Sequence, residues 1–223
     1  MAKILKKKIK FKIVPIFLFL LVCAILYLLG SIIYETDIYN IYILNNELLT
    51  DQEVIELAGI EDYYGFYKKS SKSIRENIKK SELVKDVKVR KKFFNVLEIT
   101  VTEYIPVFIK DNQVVLENKH KIDSVKCKLP VLSNLEENDI YDSLIEKLLL
   151  LKKDSRDNIS QIIYSPSEYD KTRFLLYMDD GNHVYINIVK FSNLDFYGEI
   201  YPTLNNKKGT LYLDSGNHFE IFK

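Results

Sequence analysis

Val87-Lys88-Val89-Arg90 and, six residues later, Leu97-Glu98-Ile99-Thr100-Val101-Thr102 alternate apolar and polar residues. Successive side chains of a strand point to opposite faces, so the pattern predicts two strands with one buried face and one wet face. Val87, Val89, Ile99 and Val101 are then core residues, and Lys88 lies on the wet side. Toward the N-terminus, Ser73-Ile74-Arg75-Glu76 has the spacing of a capping box, with Ile74 and Ile78 one turn apart on the helix it opens. Thr50-Asp51-Gln52-Glu53 has the same spacing. Its helix runs to Ala58, with Val54, Leu57 and Ala58 as the apolar stripe and Gly59 as the residue that ends it. Before that, Ile38 to Leu44 reads as a strand closed by Asn45 and Asn46, which tolerate positive φ. From Asp37 to Tyr104 the order is strand, helix, helix, strand, strand.

Further upstream, Ile13 to Tyr34 holds 22 residues without a charge. As a helix this run reaches roughly 33 Å, enough to cross a hydrocarbon core of about 30 Å. Pro15 falls in the first turn, where a missing N–H costs little, and Tyr34 falls where an interfacial aromatic belongs. Lys3, Lys6, Lys7, Lys8, Lys10 and Lys12 precede the run, so the positive-inside rule puts the N-terminus in the cytoplasm and the remaining 189 residues outside. A cleaved signal peptide would need a shorter apolar stretch and an A-x-A-like site. Leu28 to Thr36 offers only the adjacent pair Gly30 and Ser31.

Composition narrows the function classes. The hydrophobic fraction is 47% with 7 Gly and 5 Pro, which argues for order, and 16 Tyr with 12 Phe favour sheet. The net charge of +1 conceals an asymmetry, because residues 1–34 carry +6 and the rest, with 26 basic and 31 acidic residues, carries −5. A mildly acidic main portion offers no field for nucleic acid. Cys23 lies in the span and Cys127 beyond it, so the two cannot pair within one chain, and Cys127 reads as a structural thiol.

Beyond Pro106, Val107 to Lys110 and Gln113 to Leu116 flank Asp111-Asn112, which suits a tight hairpin. Asn138 or Asp139 can cap a helix from Ile140 to Leu151, whose apolar positions 140, 141, 144, 145, 148 and 149 share one face. Arg173 to Met178 and His183 to Val189 read as strands joined by Asp179-Asp180-Gly181-Asn182. Gly209 to Leu213 and Asn217 to Phe222 are joined around Asp214-Ser215-Gly216. Asn193 to Leu204 reads as a helix, with Gly198 and Pro202 acting against it.

Gly-Asn-His occurs at 181–183 and again at 216–218. A metal reading would take His183 and His218 with Asp180 and Asp214, but these sit in separate turns without metal-type spacing, so turn chemistry is the better account and no metal ligands are assigned. There is no G-x-S-x-G elbow, phosphate-binding loop or H-E-x-x-H, and no catalytic residue, cofactor or small-molecule substrate is assigned.

The chain resembles the FtsQ/DivIB family of bacterial cell-division proteins over essentially its whole length. The resemblance rests on Ile41-Tyr42-Ile43-Leu44-Asn45-Asn46-Glu47-Leu48-Leu49-Thr50-Asp51-Gln52-Glu53-Val54, on Ala58-Gly59-Ile60, and on the two alternating strands with Glu103 and Pro106-Val107. It continues through Leu129-Pro130-Val131-Leu132 to the hairpin around Asp214-Ser215-Gly216. Asn45 stands where the family usually has Gly, and Phe93-Phe94 precede Asn95 where a Pro-Asn turn is common. The resemblance implies an α+β architecture. A cytoplasmic basic tail (1–12) and a single transmembrane helix (13–34) lead into a POTRA domain of β-α-α-β-β order (35–105). A C-terminal β domain of mixed or antiparallel strands with helices on one face (106–223) completes it.

It also implies a non-enzymatic protein at the division septum. Its partners would be FtsL-like and DivIC-like (in some bacteria FtsB-like) single-pass proteins, bound so as to control septal peptidoglycan synthesis. The candidate partner-binding residues are Leu213, Ser215, Gly216, His218, Phe219, Glu220, Ile221 and Phe222. With no later strand to pair with it, the segment from Asn217 to Phe222 is expected at a sheet edge, open to a guest strand. Two other classes compete with this reading. A membrane-anchored enzyme acting on peptidoglycan would need a pocket with a perturbed carboxylate or a paired nucleophile and base. A POTRA-bearing secretion component would continue into a β-barrel, for which the 119 residues after 104 hold no run of the required strands.

Overall fold

The computed structural model describes residues 13–60, 65–93, 95–204 and 207–223, so the basic tail at 1–12 and Phe94 lie outside the described residues. The chain divides into two units, Met1–Thr102 and Glu103–Lys223. The uncharged run forms helix α1, Ile13–Tyr34. Its segment Val14–Ile32 is, among the described residues, the one helix long and apolar enough to cross a membrane, and none of it is buried. A helix apolar on every side has no face suited to water.

In the first unit, strands β1 (Asn40–Leu44), β2 (Val84–Lys92) and β3 (Val96–Glu103) form a sheet of order β1-β3-β2, covered by helices α2 (Asp51–Ala58) and α3 (Ser71–Ile78). β1 runs parallel to β3, with Ile41 opposite Leu97 and Ile43 opposite Ile99. The alternation of β2 and β3 delivers Val87, Leu97, Ile99 and Val101 to a core completed by Val54, Ala58, Ile74 and Ile78, while Val89 packs at its margin and Lys88 stays exposed.

The capping box of α2 is complete. Thr50 Oγ1 accepts the Glu53 N–H at 3.3 Å and the Glu53 carboxylate accepts the Thr50 N–H at 2.7 Å. Gly59 ends the helix at φ 62°, and its N–H donates to the Glu56 carbonyl. The cap of α3 is one turn earlier than the spacing suggested: Ser70, not Ser73, accepts the N-terminal amide, that of Ser73 itself at 3.1 Å. β1 begins at Asn40 rather than Ile38, because the Tyr39 N–H is drawn to the Asn95 carbonyl and Asp37 bridges to Gly65. Asn45 adopts φ 64° and Asn95 φ 54°, the left-handed region that asparagine tolerates.

The second unit is a nine-stranded mixed sheet of order β12-β11-β10-β9-β8-β7-β4-β5-β6. Its strands are β4 (Pro106–Lys110), β5 (Gln113–Leu116), β6 (Lys121–Ile122), β7 (Val131–Ser133), β8 (Ile159–Tyr164), β9 (Arg173–Met178), β10 (His183–Asn187), β11 (Gly209–Tyr212) and β12 (His218–Ile221). Asp111 and Asn112, both at positive φ, make the β4–β5 turn. Asn138 caps α4 (Asp139–Leu150), its side-chain carbonyl accepting the Ile140 and Tyr141 N–H groups, and a short α5 (Lys153–Asp157) precedes β8. Tyr141, Leu144, Ile145 and Leu148 seal one face of the sheet against Phe108, Phe174 and Leu176. The Tyr141 hydroxyl is buried without a hydrogen-bond partner, and burial pushes it up to about 12.

The single helix expected over Asn193 to Leu204 is instead three short pieces. These are a 3-10 segment Phe191–Phe196, one turn of α-helix (α6, Tyr197–Ile200) and a second 3-10 segment Tyr201–Leu204. Pro202 has no N–H to return to the Gly198 carbonyl, so an α pattern cannot pass through it. These pieces carry the chain back so that β11 lies parallel to β10.

Candidate partner-binding edge

β12 is the terminal strand of the nine-stranded sheet and, among the described residues, pairs with β11 alone. Gly209 stands opposite Ile221, Leu211 opposite Phe219, and Tyr212 opposite His218. The Phe222 N–H donates to the Lys208 carbonyl at 2.9 Å. Antiparallel ladders alternate, so His218, Glu220 and Phe222 direct their backbone groups to β11, and the N–H and C=O of Phe219 and Ile221 face outward.

The edge is held from below by a buried polar cluster. Asn182 is fully buried, its side-chain carbonyl accepting the Gly209 N–H at 3.0 Å and its amide donating to Asp180 and to the Tyr197 hydroxyl, each at 3.1 Å. The Tyr197 hydroxyl donates to Asp180 at 2.6 Å; burial, then the hydrogen bond to Asp180, drives its pKa upward. Gly209 has no room for a side chain, since a Cβ there would lie 2.1 Å from the Glu220 carbonyl oxygen. Arg173 on β9 pairs with Asp214 at 2.7 Å and its guanidinium lies 3.7 Å over the Tyr185 ring, tying the β11–β12 turn to the sheet. Gly216 at φ 75° and Asn217 at φ 49° make that turn.

The structure distributes the eight candidate residues unevenly. Leu213 is core, its N–H donating to the Tyr185 carbonyl at 2.8 Å. Ser215 and Gly216 lie exposed in the turn. His218 is exposed and stacks on Tyr212, ring centroids 4.5 Å apart, and Glu220 accepts the Tyr212 hydroxyl at 3.2 Å. Phe219 is half-buried against the core, while Ile221 and Phe222 remain 53% and 43% exposed. Phe222 leans on His183, which also meets Tyr177, and burial lowers the His183 pKa.

The roles of Gly209, Arg173, Tyr185 and Tyr212 at this edge are not read from the sequence, where Asn182 figures only as a turn residue. Only the alternation of Tyr185 and Tyr212 with buried Val184 and Leu211 could have signalled a second, aromatic face. Asp180 and Asp214 are engaged by separate partners, and among the described residues no group of three His, Cys, Asp or Glu side chains is placed to hold a metal ion.

Residues 37–104 match the model of the FtsQ-type POTRA domain. Over 213 residues the chain is 29% identical to the cell division protein DivIB of Bacillus cytotoxicus, covering 91% of this chain and 82% of that one. Residues 37–104 are thus similar to the FtsQ-type POTRA domain, and most of the chain is similar to DivIB cell division proteins. DivIB of Listeria monocytogenes is 27% identical over 229 residues, 97% of this chain and 84% of that one, and DivIB of Bacillus subtilis 27% over 217 residues, 92% and 80%. The solved extracytoplasmic domain of the trans isomer of DivIB from Geobacillus stearothermophilus matches with a TM-score of 0.39 and 23% identity, over 47% of this chain and 96% of that one. The α+β organisation and the similarity to DivIB proteins over most of the chain support a division-related role.

Proposed function

We propose that this protein is a single-pass scaffold of the division septum that captures other division proteins on the outer edge of β12. In this reading residues 1–12 are cytoplasmic, 13–34 cross the bilayer, and the POTRA domain (35–105) and β domain (106–223) lie outside. The partners are FtsL-like and DivIC- or FtsB-like single-pass proteins, bound so as to control septal peptidoglycan synthesis without any chemistry by this chain. The observation that carries the reading is the outward-facing backbone of Phe219 and Ile221 beside exposed Ile221 and Phe222. A guest strand gains roughly 0.5–1.5 kcal/mol net per ladder bond, with apolar contacts added at those side chains.

The test is a proline scan of the full-length protein purified from native membranes with its partners. Pro removes one ladder donor without adding charge. Phe219→Pro and Ile221→Pro should abolish recovery of a DivIC-like partner while the β domain keeps its thermal transition. His218→Pro and Glu220→Pro should instead loosen β12 from β11. Undiminished recovery after deletion of residues 217–223 rules the edge out.

A further inference from the structure

The POTRA domain is electrically two-sided. Residues 35–60 contain six acids (Glu35, Asp37, Glu47, Asp51, Glu53 and Glu56) and no Lys or Arg, whereas residues 65–92 contain eleven bases against three acids, a net charge of +8. The fold sets the strands of these blocks at opposite edges, while α2 and α3 meet over the sheet, where the Lys69 ammonium donates to the Ala58 and Gly59 carbonyls. The acidic block supplies β1 and α2, the basic block supplies α3 and β2, and the sheet order β1-β3-β2 puts β1 and β2 at opposite edges. Lys80, Lys85, Lys88, Arg90 and Lys92 are exposed on the basic side, and Glu47, Asp51 and Glu56 on the acidic side. Within the domain, Glu98 on β3 already lies against Lys92 and 3.9 Å from Arg90, so an acid on a neighbouring strand finds these bases in reach.

We infer that POTRA domains of neighbouring copies dock side by side, the acidic β1–α2 flank of one against the basic α3–β2 flank of the next. Charge complementarity selects the occupant, because the counterpart of the basic flank is carried by the same domain. Copies anchored by α1 in one bilayer stand the same way up, so opposite flanks can meet through rotation and translation in the membrane plane. A two-fold pair about the membrane normal would set like charge against like, and the lysines of β2 discourage pairing with a second β2. Head-to-tail contact is heterologous and does not close on two copies, so it builds a row. Confinement to a bilayer raises the effective concentration enough for individually weak charge contacts to count.

The test uses full-length protein, labelled separately with donor and acceptor dyes, in vesicles of zwitterionic phosphatidylcholine. Energy transfer should exceed the random level at about 50 mM salt and fall at least twofold near 300 mM, where the Debye length is shorter. Lys80→Glu/Lys85→Glu/Lys88→Glu alone, and Glu47→Lys/Glu56→Lys alone, should each fall to the random level. An equimolar mixture of the two should recover at least half of the wild-type signal, because each then presents the flank the other needs. Both variants must keep the wild-type thermal transition, which these exposed positions allow. Random-level transfer in the wild type, or no recovery in the mixture, overturns the inference. So does capture of poly-glutamate by the wild type without self-transfer, which assigns the basic flank to an acidic partner instead.

Discussion

β2 and β12 are both terminal strands, yet they are edged in opposite ways. β2 runs nine residues and turns Lys85, Lys88, Arg90 and Lys92 to solvent; β12 runs four and leaves Ile221 and Phe222 exposed. A long edge invites indiscriminate pairing and is guarded by charge, whereas a short edge can remain apolar with little hazard. On the two proposals made above, the edges select different guests: β2 an acidic flank through forces that salt screens, β12 an extended apolar segment through backbone bonds that salt scarcely touches.

The largest effect that would break this contrast is loss of the β2 sheet itself. Ile99 is fully buried between the helices, so Ile99→Asp strands a carboxylate in the core and should cost upward of about 4 kcal/mol, unfolding the POTRA domain. Lys88→Asp, on the exposed face, should stay within about 0.5 kcal/mol. Calorimetry of the full-length chain reads both, and partner recovery at β12 should survive in either. Identical transitions for the two variants would mean that the faces of β2 and β3 are reversed.

At the other edge, Gly209→Ala forces a Cβ into the Glu220 carbonyl, 2.1 Å away. Backbone cannot swing aside as a flexible side chain can, so β12 should separate from β11 at a cost of about 2–3 kcal/mol. Partner recovery should fall at least tenfold while the rest of the β domain remains folded. Recovery at the wild-type level would show that capture does not need β12 in its ladder.

These two variants also mark what the sequence could disclose. Ile99 lies in a strand whose alternation is unbroken, and the α2 capping box closes within four residues, so both are written in local pattern. β8 is not, because a register shift between Ile159 and Gln161 destroys its alternation, and β6 and β7 are only two and three residues long. The same division runs through the candidate edge. Its exposed residues belong to a recognisable terminal hairpin, but the groups that hold it act across long stretches of chain. Asn182 reaches Gly209 over 27 residues and Arg173 reaches Asp214 over 41, and no local period encodes such contacts.

A smaller change should leave both edges untouched. The Tyr141 hydroxyl is buried without a partner, so Tyr141→Phe removes an unpaired polar group while keeping the ring that meets Phe108 edge-on at 5.5 Å. Thermal stability should be unchanged or rise by up to about 1 kcal/mol, with partner recovery constant. A marked loss of stability would reveal that the hydroxyl is bonded.

The smallest expected effect separates the edges by pH rather than by salt. The β2 edge carries lysine and arginine and no histidine. The β12 edge is different, because Phe222 rests on His183 with ring centroids 4.8 Å apart, and Tyr177 closes the other side at 4.3 Å. Burial among these rings disfavours the imidazolium and holds the His183 pKa below its ordinary 6.5. The sign follows from linkage. As pH falls below 6.5 the unfolded chain takes up a proton that the folded one refuses, so stability present at neutral pH is progressively lost until the folded-state pKa is passed. The β-domain transition should therefore move down between pH 7.5 and 5.5, and His183→Phe, which keeps an aromatic ring against Phe222 but cannot titrate, should shrink that movement. His218 lies exposed, stacked on Tyr212 and 3.7 Å from Glu220, so His218→Gln serves as the control for an imidazole on the outer side. If the pH-dependent shift of His183→Phe equals that of the wild type, the ring at 183 does not couple β12 to pH, and the edges differ in their response to salt alone.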